Sequence, residues 1–96
     1  MSEQRTLADE ARISRAEGLV ASDVNGEAVI LCIESGHFFH LNGIGSRIWD
    51  ILEAPMTLAA ICAAMRETFE VDADECRRDV AEFVQQIRDK GLVVSL

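Results

Sequence analysis

The rhythm of apolar and polar positions changes near residue 42. Before it, apolar residues come in short runs parted by turn-forming pairs; after it, they recur at helical spacing. Leu19–Val24 is the first clear run, and Asn25-Gly26 then supplies two residues that tolerate positive φ, the signal of a two-residue hairpin. Ala28-Val-Ile-Leu-Cys-Ile33 is apolar, β-branched and too short for a helix, so it reads as a central strand. Ser35-Gly36 turns the chain again, and His37-Phe-Phe-His-Leu41 forms a third strand. Two-residue loops at both turns would set Ile33 opposite Phe38 and Ile30 opposite Leu41. The expected product is an antiparallel meander whose third strand is an edge, with one row of backbone N–H and C=O groups left open.

The second half predicts three helices. Asn42 is a suitable N-cap, and Ile44, Ile48, Trp49, Ile51 and Leu52 give the first helix its apolar face, closed by Ala54-Pro55. Thr57 caps a second helix carrying Leu58, Ile61, Cys62, Met65 and Phe69. Asp72-Ala-Asp-Glu75 has the spacing of a capping box, with Asp in place of Ser or Thr. Cys76, Val80, Phe83, Val84 and Ile87 then form one stripe on a third helix, which Gly91 ends, and Leu92-Val93-Val94 reads as a short extended tail. The fold class is α+β, a three-stranded antiparallel sheet followed by three helices, like a winged helix-turn-helix in outline. Charged residues near the start mark 1–14 as a flexible tail, leaving 15–96 as the single domain.

Charge narrows the partners. The 96 residues carry 9 Lys and Arg against 17 Asp and Glu, a formal net charge of -8. A phosphate backbone is bound by Lys and Arg displacing counterions, so nucleic acid and anionic membranes are poor partners. A winged-helix DNA-binding regulator is the reading of another class, and the third helix opposes it. Asp72, Asp74, Glu75, Asp79, Glu82 and Asp89 outnumber Arg77, Arg78, Arg88 and Lys90 there. The 3 cysteines, Cys32, Cys62 and Cys76, stand at irregular spacings and read as reduced thiols of a cytoplasmic protein. No apolar run has the length of a membrane span, and the charged start does not read as a signal peptide.

No constellation for bond chemistry emerges. His37 and His40, three apart on a strand, point to opposite faces, and no third ligand follows at metal-site spacing, so neither a metal nor another cofactor is expected. The cysteines lie in apolar stripes and read as packed thiols. Gly43-Ile-Gly-Ser-Arg-Ile48 has two glycines of a dinucleotide fingerprint, but Ile48 takes the third glycine's place and no βαβ crossover follows. A tight strand-to-helix junction accounts for it. What stands out is the third strand, with Phe38, Phe39 and Leu41 and no proline or lysine to blunt the edge. Such an edge is either covered by a helix or serves as a rail for a peptide strand.

The stretch Gly36-His-Phe-Phe-His-Leu-Asn42, with Ile48-Trp49 and Leu52 beyond it, resembles the PqqD family, as do Asp79-Val80-x-x-Phe83-Val84 and Gly91-Leu92. The resemblance runs from about Arg15 to Val94. These are small leader-peptide-binding proteins of ribosomal peptide modification pathways (RiPP recognition elements), winged-helix-like domains that do not bind DNA. Ile33-Glu-Ser-Gly36 stands where the member serving pyrroloquinoline quinone synthesis has a Tyr-Pro-Glu-Gly-like turn, so the chain looks more like the stand-alone proteins of lasso-peptide pathways. The resemblance implies a non-catalytic peptide chaperone. A leader would pair with the backbone of Phe38, Phe39, His40 and Leu41 and lie against Asp79, Val80, Phe83, Val84 and Ile87. The partner enzyme would be a leader peptidase in a lasso-type pathway, or a radical enzyme in a quinone-cofactor or sactipeptide pathway.

Overall fold

The computed structural model describes residues 10–95. In chain order the elements are β1 (Arg12–Arg15), β2 (Leu19–Val24), β3 (Glu27–Cys32), β4 (Phe38–His40), α1 (Gly43–Ile51), β5 (Met56–Thr57), α2 (Leu58–Thr68), α3 (Ala73–Asp89) and β6 (Val93–Ser95). Strands β2, β3 and β4 form the expected antiparallel meander with β3 in the centre. Asn25 and Gly26 turn β2 into β3 with φ of 57° and 84°, so both residues of the hairpin loop are left-handed.

The second turn differs from expectation. The ladder sets Ile30 opposite Phe39 and Leu31 opposite Phe38, two residues away from the register that a two-residue loop would give. The loop instead spans Ile33 to Gly36, closed by Gly36 N–H donating to Cys32 O at 2.8 Å, with Gly36 at φ 75°. A slip of two residues leaves every side chain on its original face. The inward set therefore survives: Ala28, Ile30 and Leu41 are buried, and Phe39 packs against them.

The helix starts follow the caps. Asn42 Oδ1 accepts from Gly45 N–H at 2.8 Å, and Thr57 Oγ1 accepts from Ala60 N–H at 3.1 Å. Asp72 Oδ2 accepts from both Asp74 N–H and Glu75 N–H. At the other end of α3, Leu92 N–H reaches Ile87 O and Gly91 N–H reaches Arg88 O, the paired bonds of a Schellman motif. Ile48 and Trp49 of α1, with Leu52 just past its end, share one core with Leu58, Ile61 and Met65 of α2 and Val80, Val84 and Ile87 of α3.

A second small sheet, in the order β5-β1-β6, corrects the reading of both ends of the chain. Residues 12–14, expected in a flexible tail, belong to β1, where Ile13 is fully buried. Leu92-Val93-Val94 does not trail away, because Val93–Ser95 pairs with β1. One apolar residue flanked by Arg12 and Ser14 is too short a pattern to announce a strand; the partners that stabilise it lie far along the chain. Arg15 anchors the strand to α1, donating to Trp49 O at 2.6 Å with its guanidinium 4.4 Å from the Trp49 ring centroid. Residues 1–9 of the expected tail lie outside the described residues.

Candidate functional site

The outer side of β4 is open. Leu41 N–H donates to Ala28 O and Cys32 N–H donates to His37 O, both at 2.9 Å. Bonded and non-bonded pairs alternate along an antiparallel ladder. Phe39 therefore shares its hydrogen bonds with Ile30, while the backbone groups of Phe38 and His40 point away from the sheet. Among the described residues no strand pairs with that side.

Where β4 ends, Asn42 caps α1 and enters the wall of an apolar groove of about 310 Å³. Ile44, Gly45 and Ile48 line it from α1, Met65 from α2, Phe69 and Val71 from the α2–α3 connection, and Cys76, Asp79, Val80 and Phe83 from α3. Asp79 is the one charged residue in this lining. Gly45 lets the Phe83 ring approach the backbone of α1, which brings α3 close to the end of the sheet. Ser46 fixes the same junction from inside: its Oγ accepts from Ala28 N–H at 2.7 Å and donates to Leu41 O at 3.0 Å. Gly45 and Ser46 of this segment thus serve backbone packing.

Residues 27–93 match the family of coenzyme PQQ synthesis protein D (PqqD). The chain belongs to the PqqD family. Its structure is similar to that of TbiB1 in complex with the TbiA(β) leader peptide, with a TM-score of 0.79 and 29% identity over 83% of this chain and 93% of that one. A lasso peptide synthetase B1 complexed with its leader peptide gives 0.76 at 20% identity, covering 85% and 96%. The PqqD truncation of Methylobacterium extorquens PqqCD, a stand-alone RiPP recognition element, gives 0.75 at 13% identity, covering 92% and 94%. No curated protein matches the chain.

In this PqqD-family chain the residues singled out from sequence divide by exposure. Phe38 is exposed, and so is His40, whose Nε2 lies 2.8 Å from Glu27 Oε1. Phe39 is half-buried, with its ring edge-on to His37. Asp79 and Phe83 meet in the groove over Val80, which is itself a buried core residue at its floor. Leu41, Val84 and Ile87 are core residues; they hold the sheet and α3 from beneath and present almost no surface. Likewise, β3 uses the backbone groups of Phe39 and Leu41, so only Phe38 and His40 offer theirs at the edge. Sequence reasoning missed Asn42, Ile44, Gly45, Ile48, Met65, Phe69, Val71 and Cys76 as groove residues: the apolar ones on helices have the spacing of any packed helix, Asn42 and Gly45 read as a cap and a tight junction, and Val71 lies in a connection.

Cys32, half-buried at the end of β3, has its thiol pKa lowered by hydrogen bonding from the Ser35 side chain and backbone, with the Glu34 N–H adding to it. Cys62 and Cys76 are buried, and Cys76 Sγ donates to Cys62 O at 3.8 Å. Among the described residues no cluster of three or more His, Cys, Asp or Glu could hold a metal ion. Nor is any helix there long and apolar enough to cross a membrane.

Proposed function

We propose that this chain is a non-catalytic carrier of the leader segment of a ribosomally made precursor peptide, which it holds for a processing enzyme. The observation that carries the reading is the continuity between the open Phe38–His40 edge and the apolar groove that begins at Asn42. A leader strand joining β4 would bond the backbone groups of Phe38 and His40. Continued past Leu41, it would lay apolar side chains against Ile44, Val80 and Phe83, with Asp79 positioned to meet a basic or hydrogen-bonding residue. Two of the similar structures are complexes with leader peptides, which supports a leader peptide as the ligand. The higher identity to the lasso peptide synthetase B1 than to the PqqCD segment favours a lasso-type pathway, in which the enzyme is a leader peptidase. Its three cysteines as thiols suit a cytoplasmic setting.

Such a carrier makes the enzyme's encounter with its substrate intramolecular, at an effective concentration on the order of millimolar for a short tether. The test is titration of the isotope-labelled chain with the synthetic leader of the precursor encoded beside it. Amide shifts are expected at residues 38–42 and along the groove face of α3. Shifts confined to β1, β5 and β6 would sink the proposal.

A further inference from the structure

Cross-strand pairing places Val20, Leu31 and Phe38 in one row across the outer face of the β2–β3–β4 sheet, with Val29 in the next row and Val24 beyond it. This face points away from the core, which takes Ala28 and Ile30 from the other side. An antiparallel sheet with one face in water ordinarily alternates apolar inward with polar outward. Here Val20, Val24, Val29, Leu31 and Phe38 share the outward face with only Ser22, Glu27 and His40, and Phe38 is 69% exposed, Val20 and Val24 49% each. Exposed apolar side chains clustered on a sheet face, with the Glu27–His40 pair at their border, mark an interaction surface more than a solvated one. The charges carried by the sheet segment itself are of one sign: residues 16–41 contain Glu17, Asp23, Glu27 and Glu34 and neither Lys nor Arg.

We propose that this outer sheet face docks a protein whose contact patch is apolar at its centre and rimmed by Lys and Arg. Charge complementarity selects that occupant. A second copy would bring an equally acidic rim, and a net charge of -8, against the first. Resting on the leader-binding reading, the occupant is the enzyme that acts on the bound leader. Strand β4 belongs to both surfaces, since its open edge would take the leader and its outward Phe38 side chain lies in the docking face. A leader strand on that edge would continue the Val20–Leu31–Phe38 row with its own outward side chains, so the enzyme would meet carrier and leader on one surface.

The experiment uses Val20→Glu and Val24→Glu, both on β2, the strand farthest from the leader edge. Leader affinity, read by fluorescence anisotropy, should stay within about twofold of the unsubstituted chain, while affinity for the purified processing enzyme falls by about tenfold or more. Glu27→Lys should weaken enzyme binding and flatten its salt dependence. Enzyme affinity unchanged by both Val→Glu substitutions, with leader binding intact, would overturn the docking proposal and leave the leader reading standing. A dimer of the unsubstituted chain that Val20→Glu converts to monomer would overturn it in favour of a second copy. Leader affinity of the unsubstituted chain, measured alone, tests the carrier reading separately.

Discussion

The ring of Phe83 lies so close to the backbone of Gly45 that a Cβ on Gly45 would stand 2.8 Å from Phe83 Cζ. This contact joins α1 to α3 at the wall of the groove, and only a residue without a side chain allows it. Alanine in a helix normally stabilises by about 1 kcal/mol relative to glycine. At this position the added methyl must displace the ring, and overpacking of this kind costs about 1–3 kcal/mol. Gly45→Ala is therefore expected to lower or leave unchanged the urea midpoint while pushing Phe83 into the groove and weakening leader binding about tenfold. Phe83→Leu in the Gly45→Ala background should recover stability through their coupling. A full helix-propensity gain with leader affinity intact would show that the contact does not shape the site.

Proline at position 40 isolates the contribution of the open backbone. His40→Ala and His40→Pro both lose the exposed pair with Glu27, so their difference reports the outward N–H together with proline's fixed φ. That N–H is outside the β3 ladder, where edge strands tolerate proline. We expect the alanine variant to bind leader within about twofold of the parent, an exposed pair being worth little. The proline variant should bind about tenfold more weakly, with thermal melts confirming that both are folded.

Asp79 stands exposed on α3 beside an otherwise uncharged lining. Asp79→Asn should reduce leader affinity severalfold at low ionic strength and less at high, with stability changed by no more than about 0.5 kcal/mol. Equal loss at all salt concentrations would assign Asp79 a hydrogen-bonding role without a charge contribution.

Ile13 tests the second sheet. Fully buried at the centre of β1, it should cost about 2–5 kcal/mol when replaced by alanine, measured by equilibrium denaturation. A variant as stable as the parent would mean that β1 does not belong to the cooperative fold.

The contrast between Ile13 and Asn25-Gly26 explains which parts of the fold the amino-acid pattern reveals. Asn25-Gly26, Asn42, Thr57, Asp72 and Gly91 act within a few residues of themselves, and the turn and caps they specify are all present. Ile13 is held by partners at 56 and 95, a pairing that no local period encodes. The four-residue loop at Ile33–Gly36 was equally hidden, because Ser35-Gly36 is compatible with more than one loop length. The α3 stripe was visible, but not its rotation: Val80 and Phe83 reach the groove, while Val84 and Ile87 turn into the core. Whether an apolar residue faces a groove or the core depends on the neighbouring helix.

Cys32 should be the most reactive of the three thiols. Hydrogen bonds from Ser35 favour its thiolate, whereas Cys62 and Cys76 are buried. Alkylation by iodoacetamide, followed by peptide mass mapping, should label Cys32 first. Ser35→Ala should move the pH midpoint of that reaction upward, because the bond lost is one that stabilised the charged form. Equal labelling of all three in the folded chain would contradict this arrangement.

Strands β1 and β6 run antiparallel side by side, with Ile13 opposite Ser95, so the chain enters and leaves the domain at one place. That point belongs to the β5-β1-β6 sheet, whereas the open Phe38–His40 edge belongs to the other. A domain whose two ends meet can be spliced into a loop of a larger protein, or relinked end to end and opened elsewhere, while its strands stay paired. The same unit can therefore stand as a separate carrier or as an insert in an enzyme, its open edge and groove unchanged by how it is wired.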